Sequence, residues 1–122
     1  MKIDNQVKYD LSDLICLQER EFTFKYSKRT WTCVPIIASN MDTVGTFEMY
    51  DSLSKHKCIV AFHKFYTLQD YINKKSTLDP NFYSLTTGIR DDDWRKTKLI
   101  IDELKPYFLT IDVVRCSKWI FQ

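Results

Sequence analysis

Glycine is scarce in this sequence of 122 residues, which contains only two, Gly45 and Gly88. Phosphate-binding loops of the dinucleotide and P-loop types need several glycines at fixed spacing, because the backbone must turn tightly and approach the phosphate closely. Neither pattern can be written anywhere in the chain. If the protein uses a nucleotide, we therefore expect the site for its phosphate to lie outside these residues.

Long apolar runs and a strong charge of one sign are also missing. No run approaches the roughly 20 apolar residues of a membrane span, and the polar stretch Met1–Gln6 lacks the apolar core of a signal peptide. The formal net charge of +2 is too weak for the clustered basic face of a nucleic-acid binder. We expect a cytoplasmic protein that binds neither nucleic acid nor membrane.

Metal-binding patterns are absent as well. His56 and His63 do not pair with any cysteine at the spacing of metal ligands. No two cysteines have the short separation of a zinc or redox motif, and we expect all of them to stay reduced in the cytosol. The cysteines are Cys16, Cys33, Cys58 and Cys116. The sequence therefore predicts no metal site.

From residue 34 onwards, short apolar runs alternate with amphipathic stretches. The runs are typical of strands buried on both faces of a parallel sheet, and the stretches between them are typical of helices. The predicted strands cover residues 34–38, 58–62, 82–86 and 108–114. This β-α-β-α-β-α-β order predicts an α/β protein. It leaves two architectures open, an open doubly wound sheet and the beginning of a (β/α)₈ barrel.

The three intervening helices carry recognisable start and stop signals. Thr46 is expected to cap the first, and Thr67 with Asp70 resembles a capping box for the second. The acidic residues 91–93 suit the start of the third helix, and Pro106 is expected to end it. One stripe of the third helix is predicted to face the sheet: Trp94, Thr97, Ile100, Ile101 and Leu104.

Polar or charged residues follow each predicted strand. They are Asp42, the pair at 63–64, the pair at 86–87, and Asp112. The carboxyl ends of parallel strands meet at one edge of a sheet, where α/β proteins carry their chemistry. The pattern favours the barrel fragment, and ordinary solvated loops remain the alternative interpretation of these residues.

One continuous stretch is specific enough to indicate a family. Residues 34–49, Val-Pro-Ile-Ile-Ala-Ser-Asn-Met-Asp-Thr-Val-Gly-Thr-Phe-Glu-Met, resemble the inosine monophosphate dehydrogenase/GMP reductase family. Asn40 stands where the dehydrogenases have a proline, which indicates the GMP reductase branch. Further resemblances follow in the family's order at residues 19–24, which look like an N-terminal strand entering the barrel, and at 63–66, 86–88 and 111–113.

The resemblance implies a fold and an activity. It covers residues 1–114 as the N-terminal part of a GMP reductase-like barrel, the first half of a TIM (β/α)8 barrel with about four parallel strands and three intervening helices. Residues 115–122 form an unrelated tail. GMP reductases convert GMP to IMP and ammonia with NADPH, through a covalent cysteine intermediate. The complete family enzyme is a homo-tetramer that uses a potassium ion.

The resemblance also implies site residues. Lys64 matches a lysine that contacts the cofactor from a neighbouring subunit, and Asp112, Val113 and Val114 match residues at the nicotinamide end. Ser39 and Met41 match positions that line the nucleotide site.

No residue of this chain matches the family's catalytic cysteine, because the loop that carries it and the potassium site are absent. Cys116 lacks the glycine-rich loop of that cysteine, and we interpret it as an incidental thiol.

Two departures from the family bear on activity. Cys16–Gln18 stands in place of a longer basic loop, and Ile89 in place of a threonine that forms hydrogen bonds. We therefore expect a truncated and inactive form of GMP reductase. The alternative is a non-catalytic half-barrel that binds or modulates full-length subunits. With half a barrel missing, we expect poor solubility or self-association.

Overall fold

The computed structural model describes residues 19–113. Val114, Cys16, Cys116 and the predicted tail at 115–122 lie outside the described residues. The strands are β1 Arg20–Thr23, β2 Thr30–Cys33, β3 Ile37–Ala38, β4 Ile59–Ala61, β5 Tyr83–Thr87 and β6 Leu109–Ile111. The helices are α1 Phe47–Leu53, α2 Leu68–Lys74 and α3 Asp91–Leu104, with short 3₁₀ turns at Ser54–His56 and Lys75–Thr77.

The last four strands form one parallel sheet in the order β3-β4-β5-β6. Each strand is joined to the next by one helix, which confirms the predicted α/β organisation of four strands and three helices. The first strand is shorter than the predicted 34–38. Pro35 has no N–H to donate, and the N–H of Val34 donates instead to Lys57 O at 3.0 Å.

The segment before the sheet differs from the prediction. Residues 20–23 do form a strand, but it pairs antiparallel with β2 in a separate two-stranded sheet, and β2 was not predicted. Lys28 lies in the turn between them at a φ of 58°, a left-handed conformation that usually selects glycine or asparagine. With lysine there, the turn carries no sequence signal of a hairpin.

The helix boundaries confirm the capping predictions. The Thr46 hydroxyl accepts from Met49 N at 3.1 Å, and the Thr67 hydroxyl accepts from Asp70 N at 3.2 Å. Thr67 N in turn donates to the Asp70 carboxylate at 2.8 Å, which completes the capping box. Helix α3 ends when Lys105, just before Pro106, adopts a left-handed φ of 50°.

One residue of the predicted stripe on α3 is misplaced. Thr97 and Ile100 are buried, but Trp94 is 44% exposed. Thr97 meets Thr87, the last residue of β5, so Trp94 lies one turn beyond the end of the strand. Within residues 19–113, β5 therefore ends before it could cover the Trp94 ring.

The core lies between the three helices and one face of the parallel sheet. It is rich in aromatic rings, with Phe62 and Tyr83 stacked at a centroid distance of 5.4 Å. Its buried members are Tyr50, Val60, Phe62, Tyr71, Tyr83, Leu85 and Ile100. Among the described residues, no helix is long and apolar enough to cross a membrane.

The two-stranded sheet packs at the amino ends of β5 and β6. The Trp31 indole N–H donates to Asn81 O at 2.9 Å, two residues before β5 begins. The Trp31 ring lies 5.0 Å from that of Phe108, the residue before β6. The opposite, carboxyl edge of the parallel sheet is left uncovered by the hairpin.

Candidate functional site

Backbone hydrogen bonds tie the four strand ends into one edge. His63 N, after β4, donates to Gly45 O in the loop after β3 at 3.0 Å. Asp112 N, after β6, donates to Thr87 O at the end of β5 at 2.8 Å. The polar residues that follow the strands therefore share one edge, as the sequence pattern predicts. We call this the carboxyl edge.

Gly45 is required for that arrangement. A Cβ at this position would collide with the carbonyl oxygen of Ala61, and would lie 2.8 Å from that of Ser39. Both oxygens belong to backbone, which cannot swing away as a flexible side chain could. The loop after β3 therefore packs on the end of β4 only because residue 45 has no side chain.

Lys64 and Asp112 meet across the carboxyl edge. The Lys64 ammonium lies 3.5 Å from the Asp112 carboxylate, and the two side chains are 29% and 32% exposed. They come from the loops after β4 and β6, on either side of β5. Half-buried ion pairs of this kind stay accessible to a ligand. The structure thus brings together two of the residues assigned by the family resemblance.

A second ammonium lies beside the pair. Lys96 of α3 donates from Nζ to Lys64 O at 3.0 Å. Lys64, Lys96, Asp93 and Thr86 are among the residues that line one small recess of about 10 Å³. The Thr86 hydroxyl is buried and has no hydrogen-bond partner within residues 19–113. The recess is thus lined by two lysines and by Asp93, while the Thr86 side chain lies on the opposite face of β5 from Thr87, which contacts α3.

His63 is part of the structure of this edge. Its Nδ1 accepts from Phe65 N at 3.2 Å, and its ring stacks on that of Tyr66 at 4.1 Å. Burial lowers the pKa of His63 below its ordinary 6.5, against the opposing effect of the Asp42 carboxylate. Neutral imidazole with the proton on Nε2 satisfies this geometry.

The remaining predicted residues lie elsewhere on the edge. Ser39 and Met41 follow β3, which is at the opposite border of the sheet from β6, so topology separates them from Asp112. Met41 and Val113 are 56% and 58% exposed. Ile89, in place of the family's threonine, is 65% exposed and supplies no hydrogen bond.

Sequence reasoning did not assign a role to Tyr66 or Lys96. Tyr66 lies in the stretch 63–66 that carries the family resemblance, which was the available signal. Lys96 comes from a different helix, and only the fold brings it to the Lys64 carbonyl. Within the described ranges, no cluster of three or more His, Cys, Asp or Glu side chains is placed to hold a metal ion.

A larger concavity lies away from this edge. A groove of about 1140 Å³ runs between the hairpin, the C-terminal end of α3 and the start of β6, and includes Phe24, Arg29 and Tyr107. It is at the amino end of the sheet. Ligands of α/β proteins bind at the carboxyl ends of the strands, so size alone does not make the groove the functional site.

Parallel βα units with ionic and hydroxyl groups at the carboxyl ends of the strands define an α/β protein, the class in which ligands bind at this edge of the sheet. No family model matches the sequence. Individual relatives do. A GMP reductase of Caenorhabditis elegans is 34% identical over 129 aligned positions, which cover 92% of this chain and 36% of the relative.

Two bacterial relatives agree. A GMP reductase of Vibrio vulnificus (strain YJ016) is 37% identical over 132 positions, covering 93% of this chain and 37% of the relative. A GMP reductase of Escherichia coli O9:H4 is 45% identical over 100 positions, covering 78% of this chain and 28% of the relative. The chain therefore belongs to the GMP reductase family, with the coverage of an N-terminal portion.

The chain spans about a third of the length of these relatives. The alignment with the Vibrio vulnificus enzyme has 132 positions, more than the 122 residues of this chain. That relative therefore carries residues within the aligned region that this chain lacks.

Proposed function

We propose that this chain is the cofactor-facing part of a GMP reductase, an NADPH-dependent oxidoreductase that converts GMP to IMP and ammonia in purine nucleotide interconversion. The observation that carries the proposal is the Lys64–Asp112 ion pair on the carboxyl edge. Both residues match family positions that meet the cofactor, which the lysine matching Lys64 reaches from a neighbouring subunit. Their side chains are accessible at the point where α/β enzymes bind ligands.

The groups on the carboxyl edge fit such a cofactor. The ammonium groups of Lys64 and Lys96 complement phosphate or carboxamide oxygen. Bound NADPH would supply the hydride of the reaction. The chain's own residues would bind and orient it, with Asp112 holding the Lys64 ammonium in place.

Catalysis needs groups that this chain does not contain. The family's nucleophilic cysteine loop and its potassium ligands have no counterpart in these residues, so Ser39 and Met41 would supply only one side of the GMP site. Residues 1–114 would form half of a (β/α)₈ barrel, with 115–122 as a tail of different origin. In this proposal these residues by themselves are inactive, and the homo-tetramer is the state of the complete enzyme.

The proposal is tested by assaying the purified chain with GMP and NADPH. We expect no NADPH oxidation, but saturable NADPH binding measured by the fluorescence of the reduced nicotinamide. Lys64→Met should weaken that binding roughly tenfold, because it removes one fully formed charge contact. Lys75→Met is the matched control, since it deletes a lysine that forms an ion pair with Glu103 at 2.9 Å outside the carboxyl edge.

GMP-dependent NADPH oxidation by the chain alone would contradict its inactivity. Absence of saturable NADPH binding, or equal binding by the Lys64→Met variant, would contradict the cofactor site.

A non-catalytic half-barrel that binds full-length subunits is the second candidate. It is favoured by apolar side chains at both borders of the parallel sheet: Ile36 and Ile37 at β3, and Leu109, Ile111 and Val113 at β6. Each of them is between 42% and 62% exposed. Unpaired strand edges of this kind favour association.

The two candidates differ in what the chain does to a complete GMP reductase. Mixing the chain with the complete enzyme and separating the products by size under native conditions tests the second candidate. Co-elution with altered turnover supports it. Separate elution with unchanged turnover excludes it.

A further inference from the structure

Three aromatic rings form a continuous stack behind Lys64. The rings of Phe47 and Tyr66 are nearly parallel, with centroids 3.8 Å apart and an interplanar angle of 7°. Tyr66 in turn stacks on His63 at 4.1 Å and 22°. The stack therefore connects the first residue of α1 to the loop that follows β4.

Hydrogen bonds close the same unit. Phe47 N donates to the Tyr66 hydroxyl at 3.0 Å, so Tyr66 is fixed to α1 through both its ring and its oxygen. Phe65 N donates to His63 Nδ1 at 3.2 Å, which closes a tight turn over Lys64. Lys64, whose side chain is 29% exposed, lies in a turn in which the rings of His63 and Tyr66 are stacked on each other.

We infer that Tyr66 and His63 are positioning residues for Lys64: their stack on Phe47 fixes the 63–66 turn so that the Lys64 ammonium stays near Asp112. This inference deepens the proposed function and rests on it for the role of Lys64 in cofactor binding. The ring stack contributes most to holding the Lys64 ammonium near Asp112. The neutral state of His63 also contributes to holding the turn, because a protonated Nδ1 cannot accept a hydrogen bond from Phe65 N.

Charged groups around His63 come from several elements. Asp42 lies in the loop after β3, Asp70 is in α2, and Lys96 is in α3. The two carboxylates favour the imidazolium and Lys96 disfavours it, while burial disfavours it most. Protonation of His63 at lower pH would break the hydrogen bond from Phe65 N to His63 Nδ1 and loosen the 63–66 turn.

The first test needs no cofactor. In an amide NMR titration of the whole chain, the Lys64, Phe65 and Asp112 resonances should share one inflection with the His63 ring. Asp112 is the decisive reporter, since its amide is bonded to β5 and its carboxylate lies 3.5 Å from the ammonium of Lys64, the residue next to His63. Lys64→Met should remove the inflection from Asp112 and leave it at Phe65. If the Asp112 amide resonance of the wild-type chain shows no inflection at the pH where the His63 ring titrates, the inference is wrong.

The second test separates the ring from the hydroxyl. Tyr66→Leu should weaken NADPH binding roughly tenfold, a loss of the size seen when a supporting residue is removed. Tyr66→Phe keeps the stack and should restore binding to within about threefold of wild type, since only one hydrogen bond is lost. Equal binding by Tyr66→Leu and the wild type, with a retained shared inflection, contradicts the inference.

Tyr83→Leu is the matched control. Tyr83 is a buried aromatic residue of the same core, in contact with Tyr50 and Phe62, and it makes no ring contact with Tyr66 among those found in the described part of the chain. Its loss should lower stability but leave the Asp112 inflection and NADPH affinity unchanged. If the wild-type chain binds no NADPH, the cofactor role fails. The NMR titration still decides whether His63 and Tyr66 position Lys64.

Discussion

The two ends of the parallel sheet are built from different chemistry. At the amino end, the hairpin contributes Trp31 against Phe108, and Cys33 and Cys58 are buried. Burial raises the pKa of the Cys33 thiol to about 11, which keeps it protonated and unreactive. At the carboxyl edge, Lys64 and Asp112 are about a third exposed. One end contributes stability, and the other keeps charged groups accessible to a ligand.

The largest expected effect is on stability at the amino end. Trp31→Ala should lower the free energy of unfolding by about 3 kcal/mol, because it removes a large ring that joins the hairpin to the parallel sheet. Denaturant unfolding measures this loss. NADPH affinity should stay unchanged under native conditions. A change below about 0.5 kcal/mol would contradict the structural role given to the hairpin.

Gly45→Ala should act at the other end of the sheet, through the backbone. The new Cβ would meet the Ala61 and Ser39 carbonyl oxygens, so the loop after β3 must shift. We expect a loss of about 2 kcal/mol in the free energy of unfolding. Unlike Trp31→Ala, this variant should also disturb the His63 N–H bond to Gly45 O. Amide exchange at His63 checks that difference, and unchanged protection there would contradict it.

The pH dependence should arise at the carboxyl edge. Because burial lowers the pKa of His63, the unfolded chain takes up a proton more readily than the folded one as the pH falls below about 6.5. The free energy of unfolding should therefore decrease from that pH downwards. Asp70, whose pKa is lowered by its bonds to Thr67, adds a separate loss that begins only near pH 4.

His63→Gln tests the assignment of the upper part of that curve. It should flatten the dependence between about pH 5 and 6.5 and leave the acidic limb in place. A wild-type free energy of unfolding that rises on acidification through this range would contradict the lowered pKa.

The smallest expected effect on stability is that of Lys64→Met. The ion pair is partly exposed and 3.5 Å long, so the free energy of unfolding should change by less than about 1 kcal/mol. A larger loss, measured by denaturant unfolding at pH 7, would mean that the pair is structural and would weaken the contrast between the two ends. Asp112→Asn should likewise change the free energy of unfolding by less than about 1 kcal/mol.

How far the sequence predicts this molecule depends on which physical rule governs each part. Hydrophobic runs and caps predict the parallel sheet and helices, because residues such as Thr46 and Thr67 act locally. The hairpin of β1 and β2 could not be predicted, because Lys28 occupies a turn position with a positive φ that glycine usually occupies. Trp94 was placed in the core because a helical stripe does not reveal where its supporting strand ends.

The candidate site was predictable in part. Strand-end polarity and the family resemblance indicate Lys64 and Asp112, and the fold brings them together. Their role in binding a cofactor stays a prediction. The stack of Phe47, Tyr66 and His63 was not predictable, since it depends on side-chain angles and on contact between separate βα units. Composition and periodicity carry no information on either.

The most direct measurement is an amide NMR titration of the whole chain with NADPH. We predict that the resonances that move will cluster at the carboxyl edge, around Lys64, Asp112 and Val113, and that Lys64→Met will suppress the changes. Movement confined to the groove at the hairpin end, around Phe24 and Tyr107, would contradict the assignment of the cofactor site. A spectrum that NADPH leaves unchanged would contradict it as well.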